Sequence, residues 1–137
     1  MEHHLTTYIT HDTLISALGF GTQENLEAIR GYHSGITLQT DKRIADTPLL
    51  AATLSQERLQ QQAEAIGVSG YPRMEQLFIL TINELIRQSG QTLEDKTCGL
   101  ILSTTKGNID LLARHTEHPD EAVFLWKMAE NIAGYFH

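Results

Sequence analysis

The short apolar segment Cys98–Thr104 constrains the fold more than any other part of this sequence. It reads CGLILST and is bounded by polar residues on both sides. A continuous apolar run of this length is typical of a β-strand that is buried on both faces, as in a parallel sheet. A central strand needs a neighbour on each side, and an average sheet has about 5–6 strands. The remainder of the protein must supply those neighbours.

Most of the other segments have helical patterns. Only Thr6–Thr10, which is rich in β-favouring residues, predicts a further strand. Thr22–Gly31 and Ser55–Ile66 predict helices that begin at N-capping hydroxyl residues. Residues 33–48 lie between these two helices and contain few apolar side chains. They predict a long irregular connection, of the kind that is usually functional or interfacial.

The second half of the chain carries the strongest helical signal. Apolar residues of Met74–Ser89 cover more than one helical face, which predicts a well-buried helix, and Gly90 provides its C-terminal stop. Asn108–His115 predicts a helix with its apolar residues inward, and Pro119 starts a final amphipathic stretch. The sequence therefore predicts an α/β protein that is helix-rich with few strands.

Two features indicate that residues 1–137 are part of a larger protein. The chain has too few predicted strands to surround Cys98–Thr104, and it stops at Gly134–His137 inside an apolar periodic segment without a cap or a polar tail. We therefore expect the chain to be the front part of an α/β protein.

Composition and charge exclude several classes of partner. Ten Lys and Arg against seventeen Asp and Glu give a net charge of −7, which opposes nucleic acid and anionic membranes as main partners. The sequence contains no apolar run near the ~20 residues of a membrane span and no secretory signal pattern. A single cysteine, Cys98, excludes an internal disulfide framework and a thiolate zinc cluster. We expect a cytoplasmic protein that binds neither nucleic acid nor membrane.

Five segments, in order, share the residue patterns of one known family. Tyr8–Gly19 and His33–Ile36 correspond to an opening strand ending ITG-x-G-x-x-SP-x-G and to a helix closing in GRSGI. Arg73–Gly90 is similar to a helix with the pattern (K/R)-M-D-x-F. Thr105–Asn108 is similar to a G-(T/S)-G-x-GG turn that follows a strand. Glu130–Gly134 is similar to an N-(M/x)-(V/I)-AG segment. This ordered set resembles the β-ketoacyl-acyl-carrier-protein synthases, which are thiolase-like condensing enzymes.

The departures from the family pattern are mainly lost glycines. Thr10-His11-Asp12-Thr13 stands where the family has T-G-x-G, and Ser16-Ala17-Leu18-Gly19 stands where it has S-P-x-G. Residues 103–108 replace a glycine-rich run. These differences indicate a divergent branch.

The resemblance implies the N-terminal portion of a thiolase-like αβαβα fold. The parent enzyme would be a 3-oxoacyl-[acyl-carrier-protein] synthase of fatty acid or polyketide-type synthesis, catalysing decarboxylating Claisen condensation of an acyl thioester with a malonyl carrier thioester. In the family a nucleophilic Cys and two His carry the chemistry, and all three lie beyond the point where this chain stops. We therefore expect the chain alone to be inactive, with no catalytic residue, cofactor or metal.

The implied partners are an acyl carrier protein, acyl and malonyl thioesters, and a second subunit in a homodimer or with a partner condensing subunit. Arg73 stands where the family offers a basic residue to the acidic carrier protein, and Lys42 and Arg43 could add to it. A solvated arginine near a helix start is the alternative interpretation of Arg73. Lys106 stands where the family approaches the distal end of the acyl pocket. It could line and shorten that pocket, meet a polar acyl group, or point to solvent.

Cys98 and the histidines have simpler interpretations than catalysis. Cys98 begins an apolar strand, so we expect a buried structural thiol rather than a nucleophile. His115 and His118 have i, i+3 spacing, but Pro119 and the lack of a third ligand argue against zinc.

Two other classes of function stay open. The first is a non-catalytic condensing-enzyme homologue that acts as a chain-length or partner subunit. The second is an unrelated small α/β interaction domain, for which a stable monomer with cooperative melting would be the expected behaviour.

Overall fold

A computed structural model of the protein describes residues 6–93, 97–114 and 120–137. These residues form a small mixed α/β structure, which confirms the predicted class at this level. The elements in chain order are β1 (Ile15–Ser16), β2 (Gly19–Phe20), α1 (Thr22–Arg30), β3 (Ile36–Gln39), β4 (Leu49–Ala52), α2 (Gln56–Ala65), α3 (Arg73–Ser89), the 3₁₀-helices Ile109–Arg114 and Glu121–Val123, and α4 (Leu125–Tyr135).

The strands form two separate antiparallel hairpins rather than one parallel sheet within the described residues. β1 pairs with β2, and β3 pairs with β4 with Ile36 opposite Ala52. The predicted strand Thr6–Thr10 is wrong, because this segment is exposed and outside both hairpins. The predicted irregular connection 33–48 is wrong over β3, since the alternating Ile-Thr-Leu-Gln sequence finds a partner strand ten residues further on.

Cys98–Thr104 is not a strand in this structure. The segment pairs with no strand among the described residues, and Ile101 is 94% exposed. The predicted buried central strand is therefore wrong for the described structure. The physical reason is that each described strand pairs within its own two-stranded hairpin, so none of them pairs with this segment.

Two of the predicted helix starts can be compared with the structure. The Ser55 hydroxyl accepts a hydrogen bond from the Arg58 backbone N–H at 3.2 Å, which confirms Ser55 as the N-cap of α2. Thr22 is instead the first residue of α1, and Gly21 occupies the N-cap position. The Thr22 hydroxyl donates to the Asp12 carboxylate at 2.8 Å, so it ties α1 to the preceding segment.

The buried helix α3 is confirmed, and it organises the core. It ends at Gly90, whose φ of 67° is left-handed and whose N–H donates to the Ile86 carbonyl at 2.9 Å. This geometry explains why glycine stands at that position. Side chains of α2, α3, α4 and the turn after α2 form one buried cluster, made of Ala63, Val68, Ile79, Ile82, Met128 and Ile132.

The region before α4 differs from the prediction in part. Asn108 precedes a 3₁₀-helix, Ile109–Arg114, whose Ile109 and Leu112 side chains are exposed rather than inward. The end of that predicted helix at His115, and Pro119, lie outside the described residues. The final amphipathic stretch is confirmed as α4, with Met128 and Ile132 buried.

None of the described helices is long and apolar enough to cross a membrane.

Candidate functional site

The most unusual group in the described structure is the carboxylate of Glu75. Glu75 lies in the first turn of α3, and its side chain is fully buried. Glutamate is rarely buried to this degree unless it is paired or hydrogen-bonded. The partners of this carboxylate therefore decide what the site can do.

Two asparagines donate hydrogen bonds to Glu75. Asn108 Nδ2 lies 2.8 Å from Glu75 Oε1 and also 2.8 Å from the Ala122 carbonyl oxygen. Asn131 Nδ2 lies 3.3 Å from both carboxylate oxygens. The three side chains therefore connect α3, the turn at residues 105–108 and α4 through one buried polar cluster, which we call the Glu75 cluster.

Gly107 determines how Asn108 enters the Glu75 cluster. Its φ of 55° is left-handed, and a Cβ at this position would lie 2.8 Å from Leu125 Cδ2. A larger residue would therefore need both an unfavourable backbone conformation and a displacement of the start of α4. The glycine permits the turn to pack closely and to bury Asn108 completely.

The electrostatics of the cluster shift the pKa of the Glu75 carboxyl upward. Burial raises the pKa of Glu75 above its usual value of 4.5, and the hydrogen bonds from Asn108 and Asn131 lower it by less. Asp120 adds to the increase and Lys127 opposes it. The ion pairs formed among the described residues do not include Glu75.

In the sequence, the three residues of the Glu75 cluster stand out only as members of segments that resemble the family motifs. Glu75, Ile79 and Ile82 follow i, i+4, i+7 spacing, so they share one helical face, and all three are buried. A lone carboxylate on the apolar face of a helix was the signal that could have identified it. The distant partners Asn108 and Asn131 carry no comparable signal.

Arg73 is the first residue of α3 and is exposed. It lines a cleft of about 700 Å³ that the β3–β4 hairpin and Arg43 also border. Arg43 is engaged by Asp41 at 2.5 Å, and this pairing lowers the pKa of Asp41 to about 2. Arg73 belongs to none of the ion pairs among the described residues. The structure thus brings Arg73 and Arg43 to one cleft, while docking of a carrier protein there stays a prediction.

Lys106 is exposed in the turn before Asn108. Its backbone N–H donates to the Thr104 hydroxyl at 3.2 Å. A cavity of about 790 Å³ is lined by Ser103 and Thr104 but not by Lys106. Lining of an acyl pocket by Lys106 stays a prediction.

Cys98 is exposed and lines the same large cavity, so the expectation of a buried thiol is wrong. The reason is the missing strand pairing of Cys98–Thr104 described above. In residues 6–93, 97–114 and 120–137, no group of three His, Cys, Asp or Glu side chains is arranged to hold a metal ion. His115 and His118 lie outside these ranges.

Comparison of the chain with models of protein families, with curated proteins and with solved structures finds no match.

Proposed function

We propose that residues 1–137 are the N-terminal part of a β-ketoacyl-acyl-carrier-protein synthase with a thiolase-like fold. In this proposal the chain forms part of the scaffold of the enzyme. Arg73 contributes to carrier docking, and Lys106 lies at the far end of the acyl pocket. The nucleophilic Cys and the two His of the family belong to the remainder of the protein.

The Glu75 cluster is the observation that carries this proposal. Three of the segments that resemble the family each contribute one side chain to it: Glu75 from Arg73–Gly90, Asn108 from Thr105–Asn108, and Asn131 from Glu130–Gly134. The hydrogen bonds join residues that are 33 and 56 positions apart in sequence. A chance match of short motifs gives no reason for these segments to meet. Their convergence supports a shared architecture that holds all three together.

The exposed apolar surface around α4 is a second support. Leu100, Ile101, Leu125 and Trp126 are exposed by 42%, 94%, 53% and 59%, and they belong to Cys98–Thr104 or to the first turn of α4. Large exposed apolar side chains on neighbouring segments mark a surface that a partner covers. The proposed enzyme provides that cover, because the remainder of its sheet would pack on this side.

In the proposed reaction, this chain and the remainder of the enzyme have different roles. The acyl group passes from its carrier thiol to the catalytic cysteine, and malonyl thioester then loses CO₂. The resulting carbanion attacks the acyl carbonyl, and the cysteine thiolate leaves as the β-ketoacyl thioester forms. The two His stabilise the developing oxyanion in the family. This chain contributes positioning and binding, not these chemical groups.

The proposal is tested with the complete natural gene product. Incubation with acyl and malonyl carrier thioesters should give a β-ketoacyl thioester and CO₂, and Cys98→Ser should retain this activity. Arg73→Glu should weaken carrier affinity several-fold by reversing one charge at the docking surface. Arg30→Glu is the control, because Arg30 lies in the last turn of α1 and lines none of the Arg73 cleft.

Two results would contradict the proposal and indicate another class of protein, and a third would exclude only the role of Arg73. A longer product that binds a carrier protein but never condenses would indicate a non-catalytic homologue. A natural product of 15.3 kDa that is a monodisperse monomer with cooperative melting would indicate a small interaction domain. Equal carrier affinity for Arg73→Glu and Arg30→Glu would remove Arg73 from the docking surface.

A further inference from the structure

The two amides of the Glu75 cluster are held very differently. Asn108 Nδ2 makes two bonds of 2.8 Å, to Glu75 and to the Ala122 carbonyl. Asn131 Nδ2 is shared between both carboxylate oxygens at 3.3 Å, which is longer than the usual ~2.9 Å for an N–H···O bond. The Asn131 amide is thus the loosely held member, and it joins α4 to α3.

We propose that Glu75 and Asn131 form a proton-controlled clamp between α3 and α4. In the ionised state the carboxylate accepts from the Asn131 NH₂ group, as in the structure. When a proton from solvent binds Glu75 Oε2, the Asn131 amide turns by half a rotation and its Oδ1 accepts the new O–H. The protonated clamp holds α4 more tightly than the ionised clamp.

The geometry selects Asn131 rather than Asn108 as the amide that turns. An asparagine side chain carries its acceptor and its donors at the two ends of one planar group, so half a rotation exchanges them in place. Rotation of Asn108 would leave the Ala122 carbonyl without its 2.8 Å donor. In the protonated state Asn108 therefore continues to donate to Oε1, while Oε2–H donates to Asn131.

The surroundings of the clamp decide its direction with pH. Asn108 contacts Glu75 from the turn before the first 3₁₀-helix. Two charged groups also act on the Glu75 carboxyl: Asp120 at the start of the second 3₁₀-helix, and Lys127 on α4. The Lys127 Nζ lies 2.7 Å from Glu130 Oε2. Tyr71 lines the same shallow cleft as Glu75. Burial of the carboxyl, with a smaller contribution from Asp120, outweighs the hydrogen bonds from the asparagines and the charge of Lys127, so the pKa of Glu75 is raised in the folded state.

The sign of the pH effect follows from this increase. A carboxyl whose pKa is higher in the closed clamp than in the open one binds its proton more tightly when closed. Closure is therefore strongest at pH values below 4.5, and it weakens as the pH rises through the folded-state pKa. Between these two values the opening equilibrium constant of α4 should increase with pH, by at most about tenfold per pH unit, because one proton is released on opening.

NMR on the 137-residue chain tests the clamp directly. The ¹³C signal of the Glu75 carboxyl and the side-chain ¹⁵N–¹H signals of Asn131 should titrate with one shared midpoint above pH 4.5. Hydrogen exchange of the Ile132 backbone amide, corrected for intrinsic exchange, should report the opening of α4. Glu75→Gln should remove the pH dependence of that opening, and Glu57→Gln, an exposed carboxylate of α2, should leave it unchanged.

The clamp would be refuted by Asn131 signals that stay constant through the Glu75 titration, or by a midpoint at or below 4.5. An opening of α4 whose pH dependence survives in Glu75→Gln would refute it as well. If Glu75→Gln does not fold, the shared titration of the Glu75 and Asn131 signals in the wild-type chain decides whether the clamp exists. The clamp does not rest on the proposed enzymatic function, so each can fail without the other.

Discussion

Replacement of Asn108 by alanine tests whether the Glu75 cluster holds the second half of the chain in place. Asn108 is fully buried, and its Nδ2 donates at 2.8 Å both to Glu75 Oε1 and to the Ala122 carbonyl oxygen. Alanine removes both bonds. The Glu75 carboxylate and the Ala122 carbonyl each lose one hydrogen-bond donor, which is costly where the acceptor is buried.

The magnitude follows from the bonds that are lost. A hydrogen bond to a charged group contributes about 1.5–3 kcal/mol, and one between neutral groups contributes about 1 kcal/mol. Asn108 Oδ1 is buried without a hydrogen-bond partner in the described structure, so its removal recovers about 1 kcal/mol. We expect Asn108→Ala to reduce the free energy of unfolding by about 2 kcal/mol in total.

Urea unfolding of the 137-residue chain at pH 7 measures this loss. Gln61→Ala is the matched control, because Gln61 is an exposed polar residue of α2 and its replacement should change stability by less than ~0.5 kcal/mol. In a Glu75→Gln background the cost of Asn108→Ala should fall by about 1 kcal/mol, since the bond is then no longer charge-assisted. Equal losses for Asn108→Ala and Gln61→Ala, or no coupling to Glu75, would refute the reasoning.

Three further predictions concern positions outside the cluster. Gly90→Ala should reduce the free energy of unfolding by about 1–2 kcal/mol, because φ is 67° at this position. Gly70→Ala should cost much less, since Gly70 has no left-handed φ and a Cβ there would also meet open space. Equal losses in thermal unfolding would contradict this prediction. Cys98 is exposed, so Ellman's reagent should label it fully in the native chain, and protection until denaturant is added would show that the thiol is buried. Arg87 lowers the pKa of Glu84 to about 2, so this pair stabilises the fold above pH 4.5 and loses its effect as the pH falls towards 2. Glu84→Gln should flatten that acid limb in pH-dependent unfolding, and an unchanged limb would exclude the pair.

Local signals predicted two helix ends correctly and placed the N-cap of α1 one residue too late, at Thr22 instead of Gly21. Ser55 and Gly90 were predicted as the start of one helix and the end of another, and the structure confirms both. Each depends on chemistry within a few residues: a hydroxyl that accepts from a first-turn N–H, and a residue that tolerates a left-handed φ. Such rules require no knowledge of the remaining chain.

Predictions that depended on distant partners were less successful. The apolar pattern of Cys98–Thr104 indicates a buried strand, but burial needs neighbouring strands that the described residues do not provide. The hairpin of β3 and β4 was missed because β3 is only four residues long and its partner lies beyond an irregular connection. The local pattern indicates which secondary structure a segment favours, while strand pairing depends on which other strands the fold provides.

The candidate site shows the same division between local and distant information. Glu75 is anomalous within its own helix, since a carboxylate stands on the apolar face. Its partners Asn108 and Asn131 come from segments 33 and 56 residues away, and only the folded arrangement identifies them. Arg73 and Lys106 were proposed as site residues from the family resemblance, and both are exposed.

Acyl transfer to the complete natural gene product is the most direct test of the proposed condensing enzyme. The protein would be incubated with an isotopically labelled acyl carrier thioester, digested, and mapped by mass spectrometry to find the acylated residue. The proposal predicts a labelled cysteine outside these 137 residues and an unlabelled Cys98. A label on Cys98, or no acylated residue at all, would contradict the proposal.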